Sequence, residues 1–341
     1  MTDPLAMLPL DTRGRPLHDL RISVTDRCNF RCVYCMPREF FGAEHAFLPR
    51  AELLTFEEIA RLVRVFTGLG VEKVRLTGGE PLVRRELPRL VEQLAAIPGV
   101  RDLTLTTNGV LLSEHAATLA AAGLRRVTIS LDADDDETFM RMNDAGVPVA
   151  RVLAGIDAAE AAGLGPIKLN MVVKRGWNEH AVLPMAGRFR GSGRILRFIE
   201  YMDVGSSNGW RLDEVVTAAE ILEMVAAQFP LEPMAPAHPG EVAQRYRYAD
   251  GGGEIGVIAS VSRPFCGDCS RARLSADGQL YTCLFATAGH DLRGPLRSGA
   301  PDAEIEAGLS RIWRARDDRY SEIRSSQTVD LQKVEMSYIG G

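Results

Sequence analysis

No stretch of this chain approaches the roughly eighteen uninterrupted apolar residues that a membrane-spanning helix needs. Its N-terminus, MTDPLAMLPLDTRGRPLHDL, offers no basic segment followed by an apolar run of signal-peptide length. Neither a membrane span nor a secretory leader is expected, and the expected compartment is the cytoplasm, where thiols stay reduced. Basic charge is also in short supply: 40 Lys and Arg against 45 Asp and Glu give a net charge of −5. That disfavours a surface coated with positive charge, so no nucleic-acid partner is expected, though a local basic pocket stays open. Cysteine is missing from the whole middle of the chain, between Cys35 and Cys266. The six that exist fall into two groups of three, a clustering that in a reducing compartment points to metal binding or catalysis rather than cross-links.

What the chain has instead is a βα rhythm. Its 341 residues, 46% of them apolar, have room for one large α/β domain or two ordinary ones. LRISV (20–24), KVRLT (73–77), DLTLTT (102–107), RVTISL (126–131), IKLNMVV (167–173) and ILRFIEYM (195–202) read as strands. Helical patterns lie between them. Ile59, Leu62, Val63 and Phe66 repeat at one-face spacing behind a Thr55/Glu58 capping box. Leu87, Leu90, Val91 and Leu94 repeat it in the next unit. Ser113 would cap a third helix, a fourth follows Pro148, and Asn178 would cap a fifth. Six such units suit an open doubly wound sheet or a barrel two units short of eight, whose open side something else must cover.

After Met202 the rhythm changes. A polar loop, DVGSSNGW, leads to a helix opened by the Thr217/Glu220 capping box. EPMAPAHPGE (232–241) reads as a connector, and a soft domain boundary is placed near residue 235. In RARLSADGQLYTC, Asp277-Gly278 signals a hairpin. A helix over 301–316 and a tail ending SYIGG finish the chain.

The first cysteine group, Cys28, Cys32 and Cys35 in TDRCNFRCVYCMP (25–37), follows the first strand directly. Ligand-binding residues of α/β folds gather at such strand ends. Thiolates suit zinc, copper(I) or iron–sulfur clusters. A four-iron cubane is ordinarily held by four cysteines, so three leave one iron open to a substrate or cofactor. A zinc site completed by His45 or a distant residue is the alternative.

The motif CNFRCVYC, with Tyr34 before its last cysteine, resembles the signature of the radical S-adenosylmethionine (SAM) superfamily. The resemblance implies a full or partial βα barrel and a 4Fe–4S cluster whose open iron chelates SAM. One-electron transfer then yields methionine and a 5′-deoxyadenosyl radical. LTGGEP (76–81) is similar to the superfamily's segment for the SAM amine, which implies roles for Gly79 and Glu80. Ser130 and Met202, at the ends of strands four and six, resemble its other SAM contacts.

The second group, Cys266, Cys269 and Cys283, suits a second cluster with one open iron, zinc again being the alternative. Arg271 and Arg273 share one side of a strand between these cysteines. Arg21, Lys73, Arg75, Lys168 and Arg197 lie on or beside predicted core strands, and so many cations there argue for an internal pocket for a polyphosphate.

Together these motifs, through VRLTGGEPLVR, LTTNG and LRFIEYM to SYIGG, closely resemble the GTP 3′,8-cyclase family of molybdenum cofactor biosynthesis over nearly the full chain. The resemblance implies an α/β fold: a partial (βα)6 TIM-like barrel over 12–235, and a C-terminal α+β region over 236–341 that carries the second cluster and covers the barrel's open side. It implies two 4Fe–4S clusters and SAM as cofactors. Cys28, Cys32 and Cys35 would hold the SAM cluster; Cys266, Cys269 and Cys283 the auxiliary one. Tyr34, Gly79, Glu80, Ser130 and Met202 would contact SAM. GTP would meet Arg21, Arg75, Thr106, Lys168, Arg271, Ala272 and Arg273, helped by Lys73 and Arg197. Gly340 and Gly341 would reach the active site and be needed for turnover. The implied reaction removes the ribose 3′ hydrogen of GTP and joins C3′ to C8, giving (8S)-3′,8-cyclo-7,8-dihydroguanosine 5′-triphosphate. An electron donor such as a flavodoxin or ferredoxin, cyclic pyranopterin monophosphate synthase as acceptor of the product, and a homodimer are implied as partners. The competing readings are a radical SAM enzyme acting on another substrate, such as a peptide, and a zinc-stabilised binding protein.

Overall fold

In the computed structural model residues 8–238, 240–324 and 331–340 are described. Six parallel strands run in chain order across the middle of one sheet: β1 (Asp19–Ser23), β2 (Lys73–Thr77), β3 (Asp102–Thr107), β4 (Arg126–Ser130), β5 (Lys168–Val173) and β6 (Ile195–Glu200). The helices between them are α1 (Phe56–Gly68), α2 (Leu87–Ala95), α3 (Leu112–Ala121), α4 (Asp136–Asn143), α5 (Val149–Ala161) and α6 (Val182–Phe189). This is a partial barrel of the TIM type, and its βα units match the expected ones in order and place.

The C-terminal part adds strands to both edges. β7 (Leu231–Met234), β8 (Gln244–Tyr248) and β9 (Glu254–Ile258) extend the β6 side, with β9 parallel to β6. β10 (Arg271–Leu274), β11 (Gln279–Tyr281) and β12 (His290–Asp291) extend the other side, with β10 parallel to β1. Among the described residues the sheet therefore has twelve strands and does not close, with β12 and β7 as its free edges. Helices α7 (Ala218–Ala226), α8 (Arg293–Arg297), α9 (Asp302–Arg314), α10 (Tyr320–Ile323) and α11 (Met336–Ile339) complete the described chain.

Local chemistry explains most elements. Both capping boxes form: Thr55 accepts from the Glu58 N–H at the start of α1, and Thr217 does the same for Glu220 at α7. The hairpin at Asp277-Gly278 joins β10 to β11, with Gly278 at φ +89°. Other expectations fail. Ser113 lies inside α3, which starts at Leu112 with no side-chain cap. Asn178 caps nothing with its side chain, which donates to the carbonyls of Asp132 and Val172 and accepts from the Lys174 N–H. The expected connector at 232–241 begins within the edge strand β7, where proline does no harm because one side of the strand needs no donor.

Strand alternation divides the side chains into two populations. Leu20, Ile22, Val74, Leu76, Leu103 and Leu105 face the helices and are almost fully buried. Asp19, Arg21, Lys73, Arg75, Thr104 and Thr106 hold the opposite parity. Helix α5 packs closely on the loop after β3 at Gly155, where an added Cβ would overlap the carbonyl of Gly109.

Replacing Gly155 by Ala sets two effects against each other. Helix propensity favours Ala by ~1 kcal/mol, whereas forcing an atom into packed backbone costs ~1–3 kcal/mol. The overlap is with backbone, which has little freedom to yield, so Gly155→Ala is expected to lower stability. Denaturant unfolding of the two proteins checks the sign.

Candidate active site

One cavity opens at the C-terminal ends of the parallel strands, and all six cysteines line it. Cys28, Cys32 and Cys35 come from the loop after β1. That loop is turned by the Cys35 and Met36 N–H groups donating to the Cys32 carbonyl, at 3.0 and 2.9 Å. It docks on the end of α4 through Arg31 N–H to Asn143 O (2.9 Å) and Val33 N–H to Met142 O (3.2 Å). The Tyr34 hydroxyl donates to Asp132 Oδ2 at 2.8 Å, and the Val172 N–H donates to the other oxygen at 2.9 Å. Burial pushes the Asp132 carboxyl up to about 6 in spite of both bonds.

These three thiols feel one another. Burial pushes Cys28 up to about 12, with the charge of Glu80 adding to it. Cys32 is raised by burial, by Asp132, and then by Cys28 and Cys35; Cys35 is raised by burial and then by Cys28. Thiolates that repel one another in a buried cavity are a donor set whose charge a metal centre relieves. Among the described residues no three His, Cys, Asp or Glu side chains are drawn in to the spacing that holds a single ion. The fit to a cluster rests on the shared cavity and this mutual repulsion.

In the second group one thiol sits in the opposite field. Cys266 opens a single 3-10 turn, Cys266–Asp268, and the Cys269 N–H donates back to the Cys266 carbonyl at 3.3 Å. Burial alone would raise Cys269, but Arg271 and Arg316 outweigh it and bring that thiol down to about 6. The Arg271 Nη2 donates to Cys269 Sγ at 3.3 Å. Cys283 is pushed up to about 12 by burial and then by Asp318.

Between the two groups lies a belt of arginines. Arg21 of β1 is in register with Arg75 of β2 on one side and Arg273 of β10 on the other. Arg271 precedes Arg273 at the same parity, and Arg197 of β6 faces in beside Asn170. All five line the cavity, and among the described residues none has a carboxylate partner within 4.0 Å. Their contacts are neutral or thiol: Arg75 Nη1 donates to Thr106 and Thr128 hydroxyls at 2.9 and 3.1 Å, and Arg197 Nε to Asn170 Oδ1 at 3.0 Å. Burial, aided by the neighbouring guanidinium groups, lowers Arg21 to about 9 and Arg75 and Arg197 to about 10. Buried cations without counter-charge mark a place for a multiply charged anion.

Tyr34, Gly79, Glu80, Thr106, Ser130 and Met202 also line the cavity. Gly78 and Gly79 are glycines because the cysteine loop crosses them: a Cβ at either would overlap a carbonyl, that of Thr25 or Arg27 respectively. Glu80 ties the loops after β2 and β3 together. It accepts from the Leu82 N–H (3.0 Å), the Thr107 hydroxyl (2.7 Å) and the Asn108 N–H (2.7 Å), and burial lifts it to about 7.

Four of the expected residues do not line the cavity. Lys73 lies one level below the belt, paired with Asp19 at 3.3 Å. Lys168 stands at the start of β5, where burial and then Arg197 lower it to about 8. Ala272 is buried with the opposite parity to the two arginines around it. Gly340 is buried behind the wall: Arg273 Nη1 donates to its carbonyl, and a Cβ there would overlap the Thr77 side chain. Gly341 lies outside the described residues.

Sequence reasoning passed over Asp132, Asn108 and Asn170, which also line the cavity. Parity could have found Asn170, two residues from Lys168 on one strand face. Asn108 sits in the LTTNG segment, and Asp132 follows Ser130 by two.

Comparison with known proteins agrees with this geometry. The radical SAM superfamily profile matches residues 22–188, and the Molybdenum Cofactor Synthesis C profile matches 194–322. The GTP 3′,8-cyclase of Acidothermus cellulolyticus is 55% identical over the whole of both chains, and that of Xanthomonas axonopodis pv. citri is 52% identical, again over both in full. The Staphylococcus epidermidis enzyme of the same name is 48% identical over 97% of this chain and 98% of its own. Among solved structures, Streptococcus suis SuiB bound to its precursor peptide SuiA superposes with a TM-score of 0.61 at 14% identity, covering 95% of this chain and 72% of that one. Native anSMEcpe with bound AdoMet and a peptide gives 0.52 at 14% identity, covering 89% and 85%. These two share the fold. Full-length identity of this order with the curated enzymes shows that the chain belongs to the GTP 3′,8-cyclase family of the radical SAM superfamily.

Proposed function

We propose that this protein cyclises GTP to (8S)-3′,8-cyclo-7,8-dihydroguanosine 5′-triphosphate, the first step of molybdopterin biosynthesis, in the cytoplasm. The observation that carries the reading is one cavity holding two sets of three cysteines with a belt of un-neutralised arginines between them. Residues 12–235 would form the radical-generating core, and 236–341 would supply the second cluster site and part of the nucleotide pocket. Cys28, Cys32 and Cys35 would hold a 4Fe–4S cluster for SAM, and Cys266, Cys269 and Cys283 a second. Bound there, SAM would supply the 5′-deoxyadenosyl radical that takes the ribose 3′ hydrogen before C3′ closes on C8.

The chain's own work is orientation. Arg273, Arg21 and Arg75 stand side by side on adjacent strands, a row suited to triphosphate oxygens. The Thr106 and Thr128 hydroxyls hold the Arg75 fork in place. Anchoring the phosphates fixes which ribose hydrogen faces the radical. Tyr34, Gly79, Glu80, Ser130 and Met202 belong to the SAM end of the cavity, and Gly340 would act through its contact with Arg273. Lys73 and Lys168 would add to the positive field, and Ala272 would contribute backbone only. A one-electron donor such as a flavodoxin or ferredoxin would serve the enzyme, and cyclic pyranopterin monophosphate synthase would take the product. Assembly as a homodimer is part of the same reading.

Anaerobic reconstitution tests the core of this. About eight irons per chain, as two four-iron clusters require, with deoxyadenosine and a cyclised nucleotide formed from SAM, GTP and reductant, are expected. Deoxyadenosine with GTP left intact would refute the substrate, and zinc without iron would refute the reaction class. Arg75→Ala, which removes a charge-assisted fork, should weaken GTP binding about 10- to 100-fold in calorimetry with iron content unchanged. Affinity for GTP should also fall as pH rises through about 8. Burial and then Arg197 lower Lys168 to about 8 in the free protein. A bound polyanion raises it, so binding takes up protons in that window and weakens as they become scarce. Titration of Kd from pH 7 to 10 reads the slope.

A further inference from the structure

The segment DTRGR near the N-terminus has no part in the chemistry described so far, yet it is among the most completely buried polar features of the fold. Asp11, Arg15 and Arg316 are 6%, 3% and 5% exposed. Asp11 Oδ1 accepts from the Arg13 and Arg15 N–H groups, each at 2.9 Å, closing a turn at Gly14, where φ is +74°. Asp11 Oδ2 accepts from Arg15 Nε at 2.6 Å and from Arg316 Nη1 at 2.8 Å, so two guanidinium groups from opposite ends of the chain share one carboxylate. The Trp313 indole donates to the Arg15 carbonyl at 3.1 Å, and the Arg316 guanidinium lies 4.7 Å from the Trp313 ring centroid.

Other donors of both arginines reach the second cysteine group. Arg15 Nη1 donates to the Cys266 carbonyl at 2.7 Å and to the Asp318 carbonyl at 2.7 Å. Arg316 Nη1 donates to the Cys269 carbonyl at 2.8 Å, and its Nε is shared between the carbonyl of Thr282, the residue before Cys283, and Asp318 Oδ2, each at 3.1 Å. Cys266 and Cys269 lie outside the β-ladders, on a single 3-10 turn and the residue after it, so little else in the backbone holds them. Arg15 Nη2 is buried with no partner among the described residues, a donor in reserve beside this group.

We propose that Asp11, Arg15 and Arg316 are positioning residues for the second cluster site, holding the peptide carbonyls at or beside Cys266, Cys269 and Cys283 so that the three thiols are set before a cluster arrives. The inference rests on the reading of those cysteines as cluster ligands. Each arginine uses two separate nitrogens: Arg15 holds Asp11 with Nε and the Cys266 and Asp318 carbonyls with Nη1, and Arg316 holds Thr282 with Nε and Asp11 and Cys269 with Nη1, a spread that the single nitrogen of a lysine cannot cover. Such outer contacts orient metal ligands, and their loss typically weakens metal retention about 10- to 100-fold.

The test separates the two sites. Arg15→Lys, Arg316→Lys and Asp11→Asn are placed in full-length chains carrying either Cys28→Ala, which leaves the second site intact, or Cys266→Ala, which leaves the first. After anaerobic reconstitution, iron loss to a chelator is timed and the electron paramagnetic resonance spectrum of the reduced cluster recorded. With Cys28→Ala, each clamp variant should lose iron about 10- to 100-fold faster and show a shifted spectrum; with Cys266→Ala, neither should change. Equal acceleration in both backgrounds would mean a general loss of structure and would overturn the proposal, as would no change in either. If the Cys28→Ala chain holds no cluster before the clamp is touched, the second-cluster reading itself fails.

Discussion

Alternation along parallel strands sends every second side chain into the barrel, and in this protein five of those inward positions are arginines with no carboxylate within 4.0 Å among the described residues. Taking a guanidinium out of water without a counter-charge costs several kcal/mol, so the site opposes the fold that holds it. The opposite parity of the same strands supplies the compensation, because Leu20, Ile22, Val74, Leu76, Leu103 and Leu105 are nearly fully buried against the helices. Height along the barrel sorts the charges further. At the N-terminal ends Asp19 pairs with Lys73 and Asp102 with Arg126. One level up the carboxylates stop and the cations continue. The lower ring is paired within the protein, and the upper belt, among the described residues, is not.

The two cysteine groups share a count and a cavity and differ in electrostatic setting. Burial, with Glu80 and Asp132 adding to it, raises Cys28 and Cys32 in the first group, whose thiolate charge a metal centre would offset. Arg271 and Arg316 face the second, and there Cys269 is already inclined to ionise near neutral pH. The difference follows from topology. The first group hangs from β1 among the loops of neighbouring parallel strands, where Glu80 and Asp132 end up. The second flanks β10, which brings its own arginine pair into the belt.

How much of this was legible depended on the range of the interaction. Helix starts governed by one side chain and one N–H, at Thr55 and Thr217, could be read directly, as could the Asp277-Gly278 turn. Ser113 and Asn178 misled because a good capping residue is also a good partner for distant carbonyls, and Asn178 took that second role. α4 was missed because Asp136–Asn143 is mostly polar and carries only a short apolar stripe. That β9 and β10 would pair parallel to β6 and β1, so extending the barrel rather than only covering it, depends on contacts between segments far apart in the chain. Spacing announced the six cysteines and parity placed the arginines. The buried clamp of Asp11, Arg15 and Arg316 joins residues some 300 apart and left no local signal.

By composition alone the C-terminal tail would pass for a loose end. A buried carboxylate holds it. Asp203, in the loop after β6, accepts from the Tyr320 hydroxyl, from Arg324 Nε at 3.0 Å and from Lys333 Nζ at 3.1 Å. Glu335 then binds the Ser206 N–H at 3.0 Å and the Ser207 hydroxyl at 2.9 Å. With those points fixed, α11 delivers Gly340 to a gap between Thr77 and Arg273 that has no room for a side chain. Arg273 thus serves the tail and the belt at once: the carbonyl of Gly340 occupies one of its donors, and its neighbours in the belt remain without counter-charge. A tail seated in this way meets the belt through the Arg273 guanidinium.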